Sequence, residues 1–315
     1  DIGQYVNLAQ YRGYRIQAVQ VEAMASYQVA LADLLIKNGT IVDGQGGEPY
    51  KGNVAINGDK IVAVGAFDGE AKEVIDAEGK IVTPGFVDIH THYDGQSIWS
   101  ERLSPSSSHG VTTVIVGNCG VGFAPCHADQ HDMLINLMEG VEDIPEVVLS
   151  EGLPWNWHSF PDFLDALAAR SYDADVATQV PHAALRVYVM GERGARLEAA
   201  TADDCAQMRR LATAAMQAGA IGFSTSRSVN HRSVKGEPTP SLRATEAELQ
   251  AIAAGLKDAG RGVLQFISDF NKPSLEEEFA MLTRLVRDSG RPLSFSLAQR
   301  HSAPDGWRQL LALTS

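Results

Sequence analysis

The clearest signal in this chain is Pro84-Gly85-Phe86-Val87-Asp88-Ile89-His90-Thr91-His92, an apolar run that ends in two histidines two residues apart. In a β-strand, residues i and i+2 lie on the same face. The imidazoles of His90 and His92 are therefore expected to converge at the strand end, with Asp88 near enough to orient a ring. Two neutral imidazole nitrogens supply half of a divalent metal site of the zinc type. The stretch favours a hydrolytic metalloenzyme.

Short strands precede the histidines. Residues 33–44 and 53–65 read as strand segments punctuated by Asn-Gly turns, and one more strand and turn follow them. We expect a small β-module over residues 24–80. Residues 1–23 do not share this pattern and are followed by a methionine, so we expect a non-native N-terminal extension there. An ordinary N-terminal helix is the alternative.

From residue 81 onward, apolar strand-like runs alternate with longer helical patterns. This alternation is typical of repeated βα units that build a parallel sheet. The predicted barrel strands are 81–89, 112–116, 176–180, 221–224, 263–267 and 293–297, and the predicted helices are 160–169, 202–218, 246–259 and 275–289. About six strands are predicted, whereas a closed TIM-type (β/α)₈ barrel has eight. We expect an α/β fold with an incomplete barrel over residues 81–315; strands missed within residues 101–159 are the alternative.

Composition limits the class of protein. The chain has 315 residues, of which 44% are hydrophobic, enough to bury a large core. Its net charge of −13 disfavours nucleic acid and anionic membranes as partners, so a small-molecule substrate is expected. Three cysteines without a pairing pattern indicate a reducing compartment, and the longest apolar runs are only of strand length. We expect a cytoplasmic protein whose oligomeric state the sequence does not indicate.

Several short motifs carry a family resemblance. They are Lys37-Asn38-Gly39-Thr40-Ile41-Val42-Asp43-Gly44, the histidine stretch, Gly117-Asn118-Cys119-Gly120 and, more weakly, His182-Ala183-Ala184-Leu185-Arg186 and Gly222-Phe223-Ser224-Thr225-Ser226. From about Leu31 to its end, the chain resembles the amidohydrolase superfamily and, within it, the N-acyl-D-amino-acid deacylases (D-aminoacylases). The Gly-Asn-Cys-Gly element points to this branch. The resemblance implies metal-dependent hydrolysis of a linear amide, an N-acyl-D-amino acid or a related N-acyl compound.

The resemblance also implies a set of metal ligands. The cysteine of D-aminoacylases that matches Cys119 binds metal, so Cys119 joins His90 and His92 as an expected ligand. The family places further metal-binding histidines at the ends of its fifth and sixth barrel strands. Residues 263–269 and 293–299 occupy those places here and contain no histidine. We therefore expect one zinc ion, and a two-metal arrangement is disfavoured.

Other residues are candidates for contacts with the substrate. His182 matches a position near the pocket in the resemblance. After the predicted strand 221–224, hydroxyls and a guanidinium can bind a carboxylate or an amide; these candidates are Ser224, Thr225, Ser226 and Arg227. Asp269 is a candidate for a replacement ligand or a group acting on substrate, with a helix cap as the alternative. His301, just past the predicted strand 293–297, is another candidate for a substitute ligand, with a solvated loop histidine as the alternative. Five histidines have no supporting motif: His109, His127, His131, His158 and His231.

Three readings of the function stay open. The family's catalytic aspartate comes from its eighth strand and is expected beyond Ser315, so we expect a truncated barrel and an inactive isolated chain. Because the later histidines are missing, a catalytically inactive amidohydrolase-like binding or scaffold protein is one alternative to the amide hydrolase. A cyclic-amide hydrolase is another, although the metal-bridging lysine that it would require is not found.

Overall fold

The computed structural model describes residues 5–6, 31–268, 275–297, 299 and 304–314. The chain divides into two compact units: Asp1–Val87 with Ser104–Thr113, and Asp88–Leu103 with Val114–Ser315. Apart from residues 5–6, the expected N-terminal extension lies outside the described residues. The domain limits drawn from the sequence, 24–80 and 81–315, stay a prediction.

The first unit contains a six-stranded mixed sheet. Its strands are β1 (Tyr5–Val6), β2 (Leu31–Ile41), β3 (Tyr50–Asn57), β4 (Lys60–Gly65), β5 (Glu70–Asp76) and β6 (Ile81–Val82). The order is β1-β6-β2-β3-β4, with β5 also paired to β2. Strand β2 is buried on both faces, since Leu34 and Ile36 pack into one apolar cluster while Leu35 packs into another. This explains the unbroken apolar run at the centre of β2.

The second sheet forms a curled half-barrel. Its six strands are β7 (Phe86–Asp88), β8 (Val111–Val116), β9 (Asp175–Pro181), β10 (Gly222–Ser226), β11 (Val263–Ile267) and β12 (Leu293–Phe295). They follow one another in spatial order from β7 to β12, and β9 to β12 pair in parallel. This arrangement confirms the predicted α/β class and the incomplete TIM-type barrel. The carboxyl ends of such strands are where parallel barrels place their chemistry.

Helices cover the outside of this sheet. They are α1 (Gln96–Trp99), α2 (His131–Glu142), α3 (Glu146–Gly152), α4 (Phe160–Ala168), α5 (His182–Met190), α6 (Glu192–Ala195), α7 (Ala202–Ala218), α8 (Glu246–Asp258), α9 (Leu275–Ser289) and α10 (Gly306–Ala312). Thr201 and Asp204 form a capping box at the start of helix α7, in which the Thr201 hydroxyl accepts a hydrogen bond from the Asp204 backbone N–H. On β11, Leu264 and Phe266 join the core beneath the helices, so the intervening Gln265 faces the other side of the sheet. No helix among the described residues is long and apolar enough to span a bilayer.

Two expectations about the strands need correction. The predicted strand 81–89 is broken into β6 and β7, because Pro84 has no N–H to donate to a neighbouring strand. The next residue, Gly85, packs closely against Thr112: an added Cβ would lie 2.1 Å from the Thr112 Oγ1. The histidines therefore follow β7 instead of ending a long strand. Residues 101–159 are all described and contain only β8, which was already predicted, so the alternative of further strands there is wrong.

Candidate metal centre

Thr91 fixes the two histidines at the end of β7. Its backbone N–H and its hydroxyl both donate to the carbonyl oxygen of Ile115 on β8, at 3.1 and 2.7 Å. The threonine side chain thus turns away from the flanking imidazoles, and the ring centroids of His90 and His92 lie 5.4 Å apart. His90 is exposed and His92 is half-buried. The spacing of two residues therefore places both rings together although neither residue is inside a strand.

The turn after β8 brings a cysteine to the same place. Asn118 ties this turn to its neighbours: its amide donates to the carbonyls of Thr91 and Ile115 and accepts from the Gln179 side chain at 2.8 Å. Cys119 itself has a φ of +56°, which lies in the left-handed region that residues other than glycine seldom adopt. The Asn118 hydrogen bonds and the flanking glycines hold this conformation.

Gly117 is required in that turn for two reasons. Its φ is +76°, and an added Cβ would lie 2.2 Å from the carbonyl oxygen of Gln179 on β9. Its N–H donates to Asp94 Oδ1 at 2.8 Å, which anchors the start of the turn. Glycine at this position thus allows both the left-handed backbone conformation and the close approach of the Gln179 backbone.

The three predicted ligands form one cluster. The ligand atoms of His90, His92 and Cys119 all lie within 4.8 Å of one another. Cys119 Sγ is 3.2 Å from His90 Nε2 and 3.7 Å from His92 Nε2. Zinc bonds of about 2.3 Å to sulfur and 2.1 Å to nitrogen, at the tetrahedral angle, separate such atoms by about 3.6 Å. The donor set therefore fits a zinc ion in both chemistry and spacing.

Two acidic residues that the sequence did not single out also belong to this centre. The Glu142 carboxylate, at the end of α2, is 3.2 Å from His92 Nε2, and its charge helps to raise the pKa of Cys119. Asp94 is buried beneath the turn, and its Oδ2 has no hydrogen-bond partner among the described residues. Neither lies in a local motif, so only the fold reveals them.

Burial dominates the electrostatics of the centre. It lowers the pKa of His92 to about 3, with further lowering from His90 and His231, so this imidazole is neutral and free to ligate. Burial raises the pKa of Cys119, and the nearby Glu142 and Asp94 charges raise it further. Burial also raises the pKa of Asp94 and of Glu142 to about 7. A divalent cation would reverse these trends, because it stabilises the thiolate and the carboxylates.

His231 is another residue that sequence reasoning missed. It was set aside for lack of a motif, yet its Nδ1 bonds to Ser226 Oγ at 2.8 Å at the end of β10. Burial lowers its pKa, and the charge of His90 lowers it further, which places His231 within electrostatic range of the centre. Because it comes from the irregular loop after β10, no spacing in the sequence could have indicated this position.

The residues proposed for substrate contacts have partners inside the protein. Ser224 Oγ accepts from the Gly120 N–H at 3.0 Å and donates to the Gly117 carbonyl, so it supports the cysteine turn. Thr225 Oγ1 is 2.7 Å from His182 Nδ1, and both residues are fully buried. Arg227 pairs with Glu278 on α9 at 2.7 Å and donates to the Ala244 carbonyl. Their proposed role in binding substrate stays a prediction, and Asp269 and His301 lie outside the described residues.

Gly117→Ala is expected to lower the free energy of unfolding by about 3 kcal/mol and to weaken zinc binding. The loss combines a left-handed φ, at about 1–2 kcal/mol, with displacement of the Gln179 carbonyl. Urea denaturation and zinc analysis of the purified variant measure both effects. Gly260→Ala is the matched control, since its φ of +70° is similar but nothing lies within 4 Å of the added Cβ. Equal losses in the two variants would show that close approach at Gly117 is unimportant.

Comparison with known proteins extends these observations. Residues 73–314 match the family described as the Amidohydrolase family. The chain is 39% identical over 197 residues to the N-acyl-D-aspartate deacylase of Alcaligenes xylosoxydans xylosoxydans. The aligned region covers 62% of this chain and 37% of that protein. It is similar to a crystal structure of D-aminoacylase, with a TM-score of 0.71, 30% identity and coverage of 90% of this chain and 55% of the other.

A second solved structure contains metal and inhibitor. The N-acyl-D-glutamate deacylase from Bordetella bronchiseptica, complexed with zinc and a phosphonate mimic of the tetrahedral intermediate, has a TM-score of 0.66 and 26% identity to this chain. The similarity covers 89% of this chain and 55% of that one. The chain thus spans about half the length, or less, of the relatives it matches.

Proposed function

We propose, since the chain belongs to the amidohydrolase family, that the protein containing it hydrolyses the amide bond of an N-acyl-D-amino acid or a related N-acyl compound. The observation that carries this proposal is the convergence of His90, His92 and Cys119 at one end of the half-barrel. The similarity to two deacylases of N-acyl-D-amino acids supports the substrate class.

We propose one zinc ion as the cofactor, held by His90, His92 and Cys119. The spacing of their donor atoms fits zinc, and the similar N-acyl-D-glutamate deacylase is complexed with zinc. Single occupancy is supported by residues 263–269 and 293–299, which contain no histidine. Bound zinc would supply Lewis acidity toward the acyl carbonyl and acidify a water molecule.

The residues of the chain prepare this chemistry. His92 is held neutral by burial, and Thr91 fixes both rings by bonding to β8. His90 is exposed, which leaves one side of the centre open to a small substrate. The family resemblance implies an aspartate as the proton shuttle, and that assignment stays a prediction.

Assaying the release of free amino acid from N-acetyl-D- and N-acetyl-L-amino acids tests the function. The zinc-loaded protein that contains this chain should act on D-substrates, and His90→Ala should remove the activity by removing a metal ligand. Aspartate and glutamate derivatives belong in the panel because the similar deacylases act on them.

One specific observation favours a second candidate, an amidohydrolase-like binding or scaffold protein. The fifth and sixth strands of the half-barrel, β11 and β12, end without the histidines that the resemblance would supply there. Stoichiometric zinc binding with no hydrolysis of either enantiomer would support this candidate and contradict the hydrolase proposal.

A further inference from the structure

The metal centre has fewer histidines than the family resemblance would supply, yet an additional donor lies beside it. Among the described residues, His90, His92 and Cys119 are the cluster whose ligand atoms are all mutually close. Glu142 Oε2 lies 3.2 Å from His92 Nε2. We propose that Glu142 is the fourth protein ligand of the metal, so that a helix carboxylate replaces a strand-end imidazole and the catalytic water would enter as a fifth ligand. This inference rests on the metal centre of the proposed function.

The distance from Glu142 to His92 supports ligation. Zinc bonds of about 2.1 Å to nitrogen and to oxygen, at the tetrahedral angle, separate the two atoms by about 3.4 Å. The 3.2 Å between His92 Nε2 and Glu142 Oε2 matches this value. It also resembles the 3.2 Å and 3.7 Å that separate Cys119 Sγ from the two histidine nitrogens. A small cation bound to His92 Nε2 can therefore also contact this carboxylate.

The surroundings of Glu142 call for a cation. Its side chain is only 17% exposed, and within the described parts of the chain it forms no ion pair with a lysine or an arginine. Its carboxylate contacts His92, which is itself an expected metal ligand. A carboxylate largely removed from water needs a compensating charge. A divalent ion in the cluster would supply it.

The fold holds Glu142 firmly in this place. Helix α2 packs against the loop after β10, since an added Cβ at Gly140 would lie 2.1 Å from the backbone of Ser233. The Asn136 carbonyl, one turn earlier, accepts from the Val234 N–H at 3.0 Å. The helix ends at Asp143, which has a left-handed φ of +56° and donates to the Glu139 carbonyl. Glu142 is thus the last residue of a helix whose end cannot shift easily, as a metal ligand requires.

Cobalt titration of the 315-residue chain tests the ligand directly. Co²⁺ bound by four ligands, one of them a thiolate, gives intense visible bands and a sulfur-to-metal charge-transfer band. In Glu142→Gln we expect the charge-transfer band to persist, the visible bands to change, and the affinity to fall at least about 30-fold. Glu142→His should restore the affinity to within about tenfold of wild type, because an imidazole is itself a ligand. Glu139→Gln, an equal charge change on the same helix, should bind as wild type does.

The outcomes separate this inference from the proposed function. An unchanged spectrum and affinity in Glu142→Gln would overturn Glu142 as a ligand while leaving the hydrolase proposal intact. Failure of Glu142→His to recover binding would show that the carboxylate acts only through hydrogen bonds, and would overturn the inference as well. If the variants behave as expected but no N-acyl amino acid is hydrolysed, the ligand assignment holds and the proposed function fails.

Discussion

Cys119→Ala is expected to abolish stoichiometric zinc binding. The thiol lies within 3.7 Å of both imidazoles and is the donor that becomes an anion on binding. Changes in residues that merely support ligands already cost about 10- to 100-fold in affinity, so loss of a direct ligand should cost more than about 100-fold. Elemental analysis after dialysis against zinc should find about one ion per chain in wild type and almost none in Cys119→Ala.

Cys126 provides the control for this experiment. It is as buried as Cys119, burial likewise raises its pKa to about 12, and its thiol donates to the His127 carbonyl. It lies outside the cluster of ligand atoms, so Cys126→Ala should keep its zinc. His90→Ala should behave like Cys119→Ala. Zinc retained in both cluster variants, or absent from wild type, would contradict the metal centre.

Much of the fold was predictable because its signals are local. The predicted helix 202–218 coincides with α7, since Thr201 and Asp204 form a capping box and Gly219 follows the last turn. The predicted helix 275–289 coincides with α9. The strand 81–89 was predicted as one element from its apolar residues on both sides of Pro84-Gly85, but in the structure this pair separates β6 from β7.

In the candidate site too, the residues in local sequence motifs were predictable, and those brought there by tertiary packing were not. His90, His92 and Cys119 were predictable because two histidines two residues apart, and a cysteine in a recognisable turn, are sequence patterns. Glu142 comes from a helix end and lies 3.2 Å from His92, where Gly140 lets α2 pack against the loop after β10 that also carries His231. That approach depends on tertiary packing, which no spacing encodes. The sequence therefore indicated the metal chemistry but missed part of its surroundings.

A second part of the structure has large expected energetic consequences, a charged network in the core. His182, Arg186 and Glu248 are all fully buried. Glu248 accepts from His182 Nε2 at 2.9 Å and from Arg186, while the Thr225 hydroxyl donates to His182 Nδ1. Burial alone raises the pKa of Glu248, but the hydrogen bonds and charges of His182 and Arg186 outweigh it and hold that pKa below its usual value. Burial lowers the pKa of His182, so the network contains a carboxylate, a guanidinium and a neutral imidazole.

Arg186→Met is therefore expected to lower the free energy of unfolding by about 3–5 kcal/mol, because it leaves the Glu248 carboxylate buried without its cation. Urea denaturation measures the loss. Arg209→Met makes the same change in the Arg209–Asp258 pair, whose side chains are 49% and 40% exposed, and should cost less than about 1 kcal/mol.

The double variant Arg186→Met/Glu248→Gln should recover part of the loss, since it removes the unpaired charge while the new amide oxygen can still accept from His182. If the double variant were as unstable as the sum of its single variants, the two residues would not be energetically coupled. The cost at Arg186 would then come from lost packing around a large buried side chain rather than from an uncompensated carboxylate.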